Sequence, residues 1–385
     1  MNIMGCRIFN IQAAYEGLLK TGYSLIGFKD NLLAPLLTGD DLGIYIIIPR
    51  LAVFFGCSID VATKIFFFGL LYIPFCVATV IFLFYFESWI ERIFGVIGLA
   101  LITRVAYGLG DVYLAFYAAA MIQIPFSLWF FKSKRAWYGA TGFFGGILSG
   151  LLHIIRSYSF VAGIIFFSML LVVSKNSLKR TLYLVASFFF AFSVSIALVQ
   201  MMHNSSMKFA KENLNADKVE NAHVFWHQVY IGFGFLEWGN KNEISYSDEV
   251  AAQKVLEIDP TVRYCSAEYE QILKNETINL LINQWKFFII TLFAKLGVLI
   301  YFFVKFCNLG MIAAIFFPSK RYIDCAFLGA LCFNAIPCLI ALPFPEYALG
   351  FITCAALFGI ININNALRYM QKNTLSTKKI LNFQF

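Results

Sequence analysis

Two short acidic motifs flank long apolar runs, and their carboxylates are candidate catalytic groups. Asp40 and Asp41 lie in GDDLGIYIIIPRLAVFF, and Asp111 lies in GLGDVY. Ionisable side chains at a membrane boundary are costly, so they mark functional sites by default. A carboxylate there can act as the general base for an acceptor hydroxyl. Capping of the following helix is the structural alternative for both motifs.

A basic pair follows in GLLHIIRSYSF, where His153 and Arg156 are three residues apart and share one helical face. The planar guanidinium of an arginine can bind a phosphate through two hydrogen bonds. We therefore predict that both residues bind substrate. The alternative for Arg156 is snorkelling to lipid headgroups.

The third set lies in AHVFWHQVYIGFGF, where His223 and His227 are one helical turn apart. A zinc site needs at least a third protein ligand, so this spacing alone assigns no metal, and packed histidines are the alternative. Trp226, Tyr230, Trp238 and Tyr246 could stack on a sugar ring. We predict that His223, His227, Trp226 and Tyr230 also bind substrate. The sequence assigns no cofactor, and a divalent cation remains an open alternative.

The composition predicts that membrane helices position these residues. Hydrophobic residues make up 60% of the chain and charged residues 14%, whereas about 25% charged residues is usual in soluble domains. Apolar runs at 65–86, 112–131, 158–173 and 182–202 approach or reach the roughly 20 residues that cross a bilayer. We expect an all-α, polytopic transmembrane protein with about ten spans and a partly helical extracytoplasmic insert.

The chain divides into four predicted parts. Residues 1–202 form the N-terminal transmembrane helices, with a first outer loop at 27–63. Residues 203–283 form a polar insert with 12 acidic and 7 basic side chains, 284–367 the C-terminal helices, and 368–385 a basic tail. Within the insert, Ser247 and Ser266 are predicted to cap helices at 247–256 and 266–281. One crossing is expected at 297–317, after an interfacial helix from which Lys286 and Lys295 snorkel.

The positions of the basic residues predict the orientation, because short loops rich in Lys and Arg stay in the cytoplasm. The clusters follow the runs that end near 131 and 173, and the tail holds a third. We expect both termini in the cytoplasm and the acidic motifs, the basic pair and the insert on the extracytoplasmic face. A bacterial inner membrane is our expectation. Nucleic acid is not an expected partner, because the net charge of +8 comes from segments between the spans.

This order of features resembles the C-type (GT-C) membrane glycosyltransferases. GDDLGIYIIIPRLAVFFG is similar to their acidic first outer loop, and GLGDVY to a second acidic motif. The resemblance implies transfer of a sugar from a polyprenyl-phosphate donor to a glycan, lipid or protein acceptor. It implies that Asp40 or Asp41 is the base, that Asp111 is a further contact, and that Arg156 binds the donor phosphate. We expect no counterpart here of the later soluble domain of larger members.

Several alternatives remain open. The segment from FWHQVYIGFGF to CSAEYE resembles an element of a bacterial membrane-protein family without an assigned activity. An O-antigen polymerase or ligase also uses lipid-linked sugars, but it relies on basic residues in its large loop. A transporter or flippase would show charges within spans and broken helices in paired halves. A membrane subunit without activity is the fourth alternative.

Overall fold

A computed structural model describes residues 5–36, 41–133, 137–174, 177–214, 224–236, 243–317 and 320–381. The expectation of an all-α protein is confirmed, with one small β-hairpin added. The hairpin strands are β1 (Ile26–Lys29) and β2 (Leu32–Pro35). The helices are α1 (Gly5–Thr21), α2 (Leu42–Phe55), α3 (Ile59–Tyr85), α4 (Trp89–Gly108), α5 (Leu114–Ser133), α6 (Tyr138–Ile155), α7 (Val161–Val173), α8 (Leu178–Asn213), α9 (Phe225–Gly232), α10 (Asp248–Ile258), α11 (Ala267–Asn283), α12 (Trp285–Cys307), α13 (Leu309–Phe316), α14 (Arg321–Ile340) and α15 (Leu349–Leu381).

Long apolar helices dominate the fold and fit an integral membrane protein. Of the described helices, seven are long and apolar enough to cross a membrane: α3, α5, α6, α8, α12, α14 and the part of α15 from Leu349 to Gln371. The apolar helices α2 and α7 are shorter, with 14 and 13 residues. The structure therefore supports a polytopic plan with fewer clear spans than the ten expected.

Two helices form the centre of the bundle. The apolar segments of α5 and α15 are 72% and 83% buried, whereas that of α8 is 11% buried. Small side chains explain why α5 can be central: Ala115, Ala118, Ala119 and Ala120 are all buried and allow close approach of neighbouring helices. Other helices surround this pair, so the polar groups at its ends are held from several sides.

The bundle has two ends of different chemistry. At one end, Arg368 of α15 forms an ion pair with Glu91 at the start of α4 (2.7 Å), and Lys132 at the end of α5 donates to the carbonyl of Tyr85 (2.7 Å). Asp111 lies at the opposite end, in the turn between α4 and α5. We name these the Arg368 end and the Asp111 end.

The first helix begins at the Asp111 end, because Arg7 in α1 contacts Asp111. The long helix α15 passes Arg368 at the other end and continues to Leu381, through most of the predicted basic tail. This arrangement does not support the expectation that both termini lie on one face.

The predicted first outer loop is structured. Strands β1 and β2 pair antiparallel around Asp30 and Asn31, whose φ values of 51° and 62° suit a type I′ turn. Helix α2 follows at once and ends at Gly56, whose left-handed φ of 58° is typical of a helix C-terminus. The loop thus holds Asp41 against the end of the bundle.

The insert folds around a small core of its own, which includes Tyr230, Tyr269 and Leu273. Its two predicted helices are confirmed as α10 and α11, with Ser247 and Ser266 as N-caps that accept backbone N–H groups. The first part of the expected insert instead continues helix α8 to Asn213.

Lys295 corrects one expectation about α12. Its side chain does not snorkel: the residue is 3% exposed, and its ammonium donates to the carbonyls of Leu339 (3.0 Å) and Ala341 (2.7 Å). The last carbonyls of a helix lack partners within that helix, and Lys295 satisfies those of α14. Helix α12 then breaks at Asn308, and α13 continues beside α15.

Helices α6 and α8 pack closely because glycine recurs every fourth residue of α6, as in other membrane helix pairs. A Cβ atom at Gly146 would lie 2.3 Å from the carbonyl oxygen of Phe188, whereas one at Gly145 would have no atom nearer than 3.7 Å. We predict that Gly146→Ala destabilises the protein by about 1–3 kcal/mol, the usual cost of overpacking. Gly145→Ala is the matched control. Thermal unfolding in detergent should separate the two variants, and equal midpoints would contradict the prediction.

Candidate functional site

An arginine joins two carboxylates at the Asp111 end. Arg7 Nε donates to Asp41 Oδ2 at 2.6 Å, and Arg7 Nη1 donates to Asp111 Oδ2. Asp41 and Asp111 are 5% and 2% exposed. Arg7 thus holds together α1, the start of α2 and the turn between α4 and α5, which are far apart in the sequence.

The Asp41 carboxylate does not cap the helix that follows it. Asp41 occupies the N-cap position of α2, but its side chain makes no capping hydrogen bond. Asp111 directs one oxygen to Arg7, and its Oδ1 is buried with no hydrogen-bond partner among the described residues. The capping alternative is therefore wrong for Asp41. The backbone N–H of Val112 is close enough to the Asp111 carboxylate to lower its pKa, although less than burial raises it.

The electrostatics of this group follow from burial. Burial raises the pKa of Asp111, the Arg7 guanidinium opposes that rise, and the Asp41 charge adds to it, with a net increase above the ordinary value. Burial acts to lower the pKa of Arg7, but the two carboxylates outweigh it and raise that pKa. Arg7 stays charged, and Asp111 is a stronger base than an exposed aspartate.

Arg156 belongs to the same group. It follows α6 directly, and its guanidinium carbon lies 5.0 Å from the ring centroid of Tyr113, two residues after Asp111. The Arg156 charge is close enough to lower the pKa of Asp111, although less than burial raises it. The predicted association of Asp41, Asp111 and Arg156 at one end of the bundle is what the structure contains.

A chain of tyrosines connects this group to the insert. The rings of Tyr113 and Tyr347 meet edge to face with centroids 4.9 Å apart, and the hydroxyls of Tyr347 and Tyr246 are 2.7 Å apart. Tyr246 also donates to Gln228 Oε1 at 3.4 Å. Burial raises the pKa of Tyr246 and Tyr347, so both hydroxyls remain protonated donors at neutral pH.

His227 lies inside the insert rather than beside the carboxylates. It is 2% exposed, with Nδ1 2.8 Å from the Tyr269 hydroxyl and Nε2 3.0 Å from Asp248 Oδ1. The Glu270 carboxylate accepts the backbone N–H groups of Trp226 (2.7 Å) and His227 (3.0 Å). These contacts join α9, α10 and α11. They agree with the alternative that His227 is a packed histidine rather than a ligand of substrate or metal.

The other predicted substrate-binding residues are placed as follows. Tyr230 is 4% exposed within the core of the insert. His153 accepts the N–H of Tyr158 through Nδ1 at 3.2 Å and has the Phe160 ring within 5.8 Å. Asp40, His223 and Trp238 lie outside the described residues. In the described part of the chain, no three His, Cys, Asp or Glu side chains are grouped to hold a metal ion.

Sequence reasoning missed Arg7, Tyr113, Gln228 and Tyr347 as parts of the site, whereas Tyr246 was among the aromatic residues expected to stack on a sugar ring. Arg7 had a usable signal, because it is a charge in the first turns of a helix with apolar positions at helical spacing. Tyr113 and Tyr347 had no such signal, since Tyr is also common at membrane interfaces. Comparison with family models, curated proteins and solved structures finds no match for this chain.

We predict that Arg7→Ala destabilises the protein by about 3–5 kcal/mol, the usual cost of leaving buried charges without their partner. Arg104→Ala is the control, because Arg104 is exposed near the same end of the bundle and its guanidinium lies over the Tyr107 ring. Thermal unfolding in detergent measures both. Adding Asp41→Asn to Arg7→Ala should restore part of the loss, because it removes one uncompensated charge. Equal unfolding midpoints of the two arginine variants would show that Arg7 does not stabilise the buried carboxylates.

Proposed function

We propose that this chain is a membrane glycosyltransferase of the GT-C type. It transfers a sugar from a polyprenyl-phosphate donor to an acceptor hydroxyl at the Asp111 end. The observation that carries the proposal is the convergence of Asp41, Asp111, Arg7 and Arg156 on one buried site beside the insert. Two carboxylates and two guanidiniums suit a reaction that needs a base and produces a phosphate anion.

The transfer is a substitution at the anomeric carbon of the sugar. The acceptor oxygen forms a bond to that carbon, and the bond from the carbon to the phosphate oxygen breaks. Its electron pair leaves with the polyprenyl phosphate, which gains one negative charge. The proton of the acceptor hydroxyl passes to the base. No oxidant, reductant or further reactant is required.

Asp111 is the best candidate for the base. Its Oδ1 is the carboxylate oxygen without a described partner, and its raised pKa favours proton uptake. Asp41 accepts from Arg7 and acts as a positioning residue. This assignment exchanges the roles that the resemblance implied for Asp41 and Asp111, and it leaves the role of Asp40 open.

Arg156 is the proposed partner of the donor phosphate. It lies beside Asp111 and over Tyr113, so it can stabilise the negative charge that develops on the leaving group. The hydroxyls of Tyr246 and Tyr347 offer hydrogen bonds to the sugar. Trp226, Tyr230 and His227 hold the insert in place and are not assigned to the substrate.

The proposed active face is extracytoplasmic. Basic side chains that line the Arg368 end, such as Lys132 and Lys320, favour a cytoplasmic location for that end. The Asp111 end and the insert then lie on the opposite side, as lipid-linked sugar donors at the outer face require. A bacterial inner membrane remains the proposed location.

We predict that Asp111→Asn lowers the rate of sugar transfer by about 10²–10⁴-fold, the usual contribution of a general base. The assay measures polyprenyl phosphate released from a panel of radiolabelled polyprenyl-phosphate sugars by protein in nanodiscs. Asp60→Asn is the control, because Asp60 is exposed in the first turn of α3. A rate unchanged by Asp111→Asn would reject Asp111 as the base. Absence of release from every donor by the folded wild-type protein would reject the proposed reaction.

A pH profile tests the same assignment. The base must be deprotonated, so transfer should fall as the pH drops through the pKa of Asp111, which burial raises above the ordinary 3.8. Asp41 raises that pKa further, so Asp41→Asn should move the acid limb of the profile to lower pH. An acid limb that stays in place would show that another group controls it.

A further inference from the structure

A second cavity lies at the Arg368 end, away from the carboxylate site. It has a volume of about 610 Å³, within the usual range for small-molecule sites. It lies where α3, α5 and α13 end and α14 begins, with α15 along one side. By this position it opens at the boundary of the bundle, where the headgroups of a bilayer would be.

The mouth of this cavity is cationic. Lys132, Lys320 and Arg368 line it, and no lining residue in the described chain is acidic. Two carboxylates that do not line the cavity compensate part of this charge: Glu87 pairs with Lys132 (2.8 Å) and Glu91 with Arg368 (2.7 Å). The lining itself therefore contains three cations and no carboxylate among the described residues.

Neutral donors add to the cations. Asn365, Tyr322 and Tyr369, which carry an amide and two hydroxyl groups, also line the cavity. The Lys320 ammonium lies 5.9 Å from the Tyr322 ring centroid. Ammonium, amide and hydroxyl groups around one small volume are the donors that bind phosphate oxygens. The donor set therefore favours an anionic phosphate ligand over a neutral one.

The remaining wall is apolar. Leu128, Phe131 and Leu170 line one part of it, and Phe316 and Ile361 another. A free phosphate ion would gain nothing from these side chains, whereas a hydrocarbon chain would be shielded by them. A cationic mouth beside an apolar wall matches an amphiphile with a phosphate headgroup.

We propose that the cavity at the Arg368 end binds the phosphate headgroup of an anionic membrane lipid, with the first part of its acyl chain against the apolar wall. Basic pockets between membrane helices bind lipid headgroups in this way. Lys320 is the clearest determinant, because Lys132 and Arg368 each share their charge with a glutamate. This site is independent of the glycosyltransferase proposal.

The test measures binding of short-chain phosphatidylglycerol to the full chain in neutral detergent, by native mass spectrometry or thermal shift. Lys320→Ala should weaken binding about fivefold, the effect of one basic residue near an anionic headgroup, and Lys320→Arg should retain it. Lys179→Ala is the control, because Lys179 is exposed at the start of α8 and does not line the cavity. Short-chain phosphatidylcholine and inorganic phosphate serve as comparison ligands.

Three results would overturn the proposal. Equal affinity of the wild-type protein and Lys320→Ala for phosphatidylglycerol would remove the cavity as its site. Equal binding of phosphatidylcholine would show that net headgroup charge is not recognised. Inorganic phosphate that binds as tightly as phosphatidylglycerol and displaces it would assign the site to a soluble phosphate rather than a lipid.

Discussion

The burial of two aspartates at the end of an apolar bundle is the constraint on which the proposed site depends. A buried carboxylate is costly without a cation and hydrogen bonds, and Arg7 supplies both to Asp41 and Asp111. One guanidinium cannot neutralise two carboxylates, and Arg156 brings a second positive charge near Asp111. These four described groups carry two positive and two negative charges. A phosphate that binds there would find two guanidiniums already in place.

The components of this site were partly predictable from the sequence. Asp41, Asp111 and Arg156 were identified because charge at a membrane boundary is costly and therefore informative. Arg7 was not assigned to the site. As a charge in an apolar helix it is conspicuous, but its partners are 34 and 104 positions away, and no local pattern encodes such distances. His227 and Tyr230 were predicted to face the substrate. Their spacing shows that they lie on one face of a helix, but it does not show what that face contacts. In the structure they face the interior of the insert.

The fold shows the same division between local and tertiary information. Apolar runs and the serine caps of α10 and α11 are local, and they predicted the helices. Lys295 was predicted to reach the headgroups, since a lysine in an isolated apolar helix has few other polar groups to contact. The end of α14 provides one, because its free carbonyls accept the ammonium. The position of α1 depends in the same way on tertiary contacts between Arg7 and the carboxylates.

The two ends of the bundle differ in how their charges are arranged, and this difference agrees with the two proposals, a reaction at one end and lipid binding at the other. At the Asp111 end the charges are buried, balanced and fixed by hydrogen bonds, so they need little reorganisation when a reaction creates new charge. At the Arg368 end the cations outnumber the carboxylates and lie around an open cavity, which favours attraction of an anion that is already charged. Helix α15 runs between the two ends with 83% of its span buried. A rigid central helix keeps the ends at a constant separation, so a lipid bound at one end would fix the depth at which the other meets the opposite surface of the bilayer.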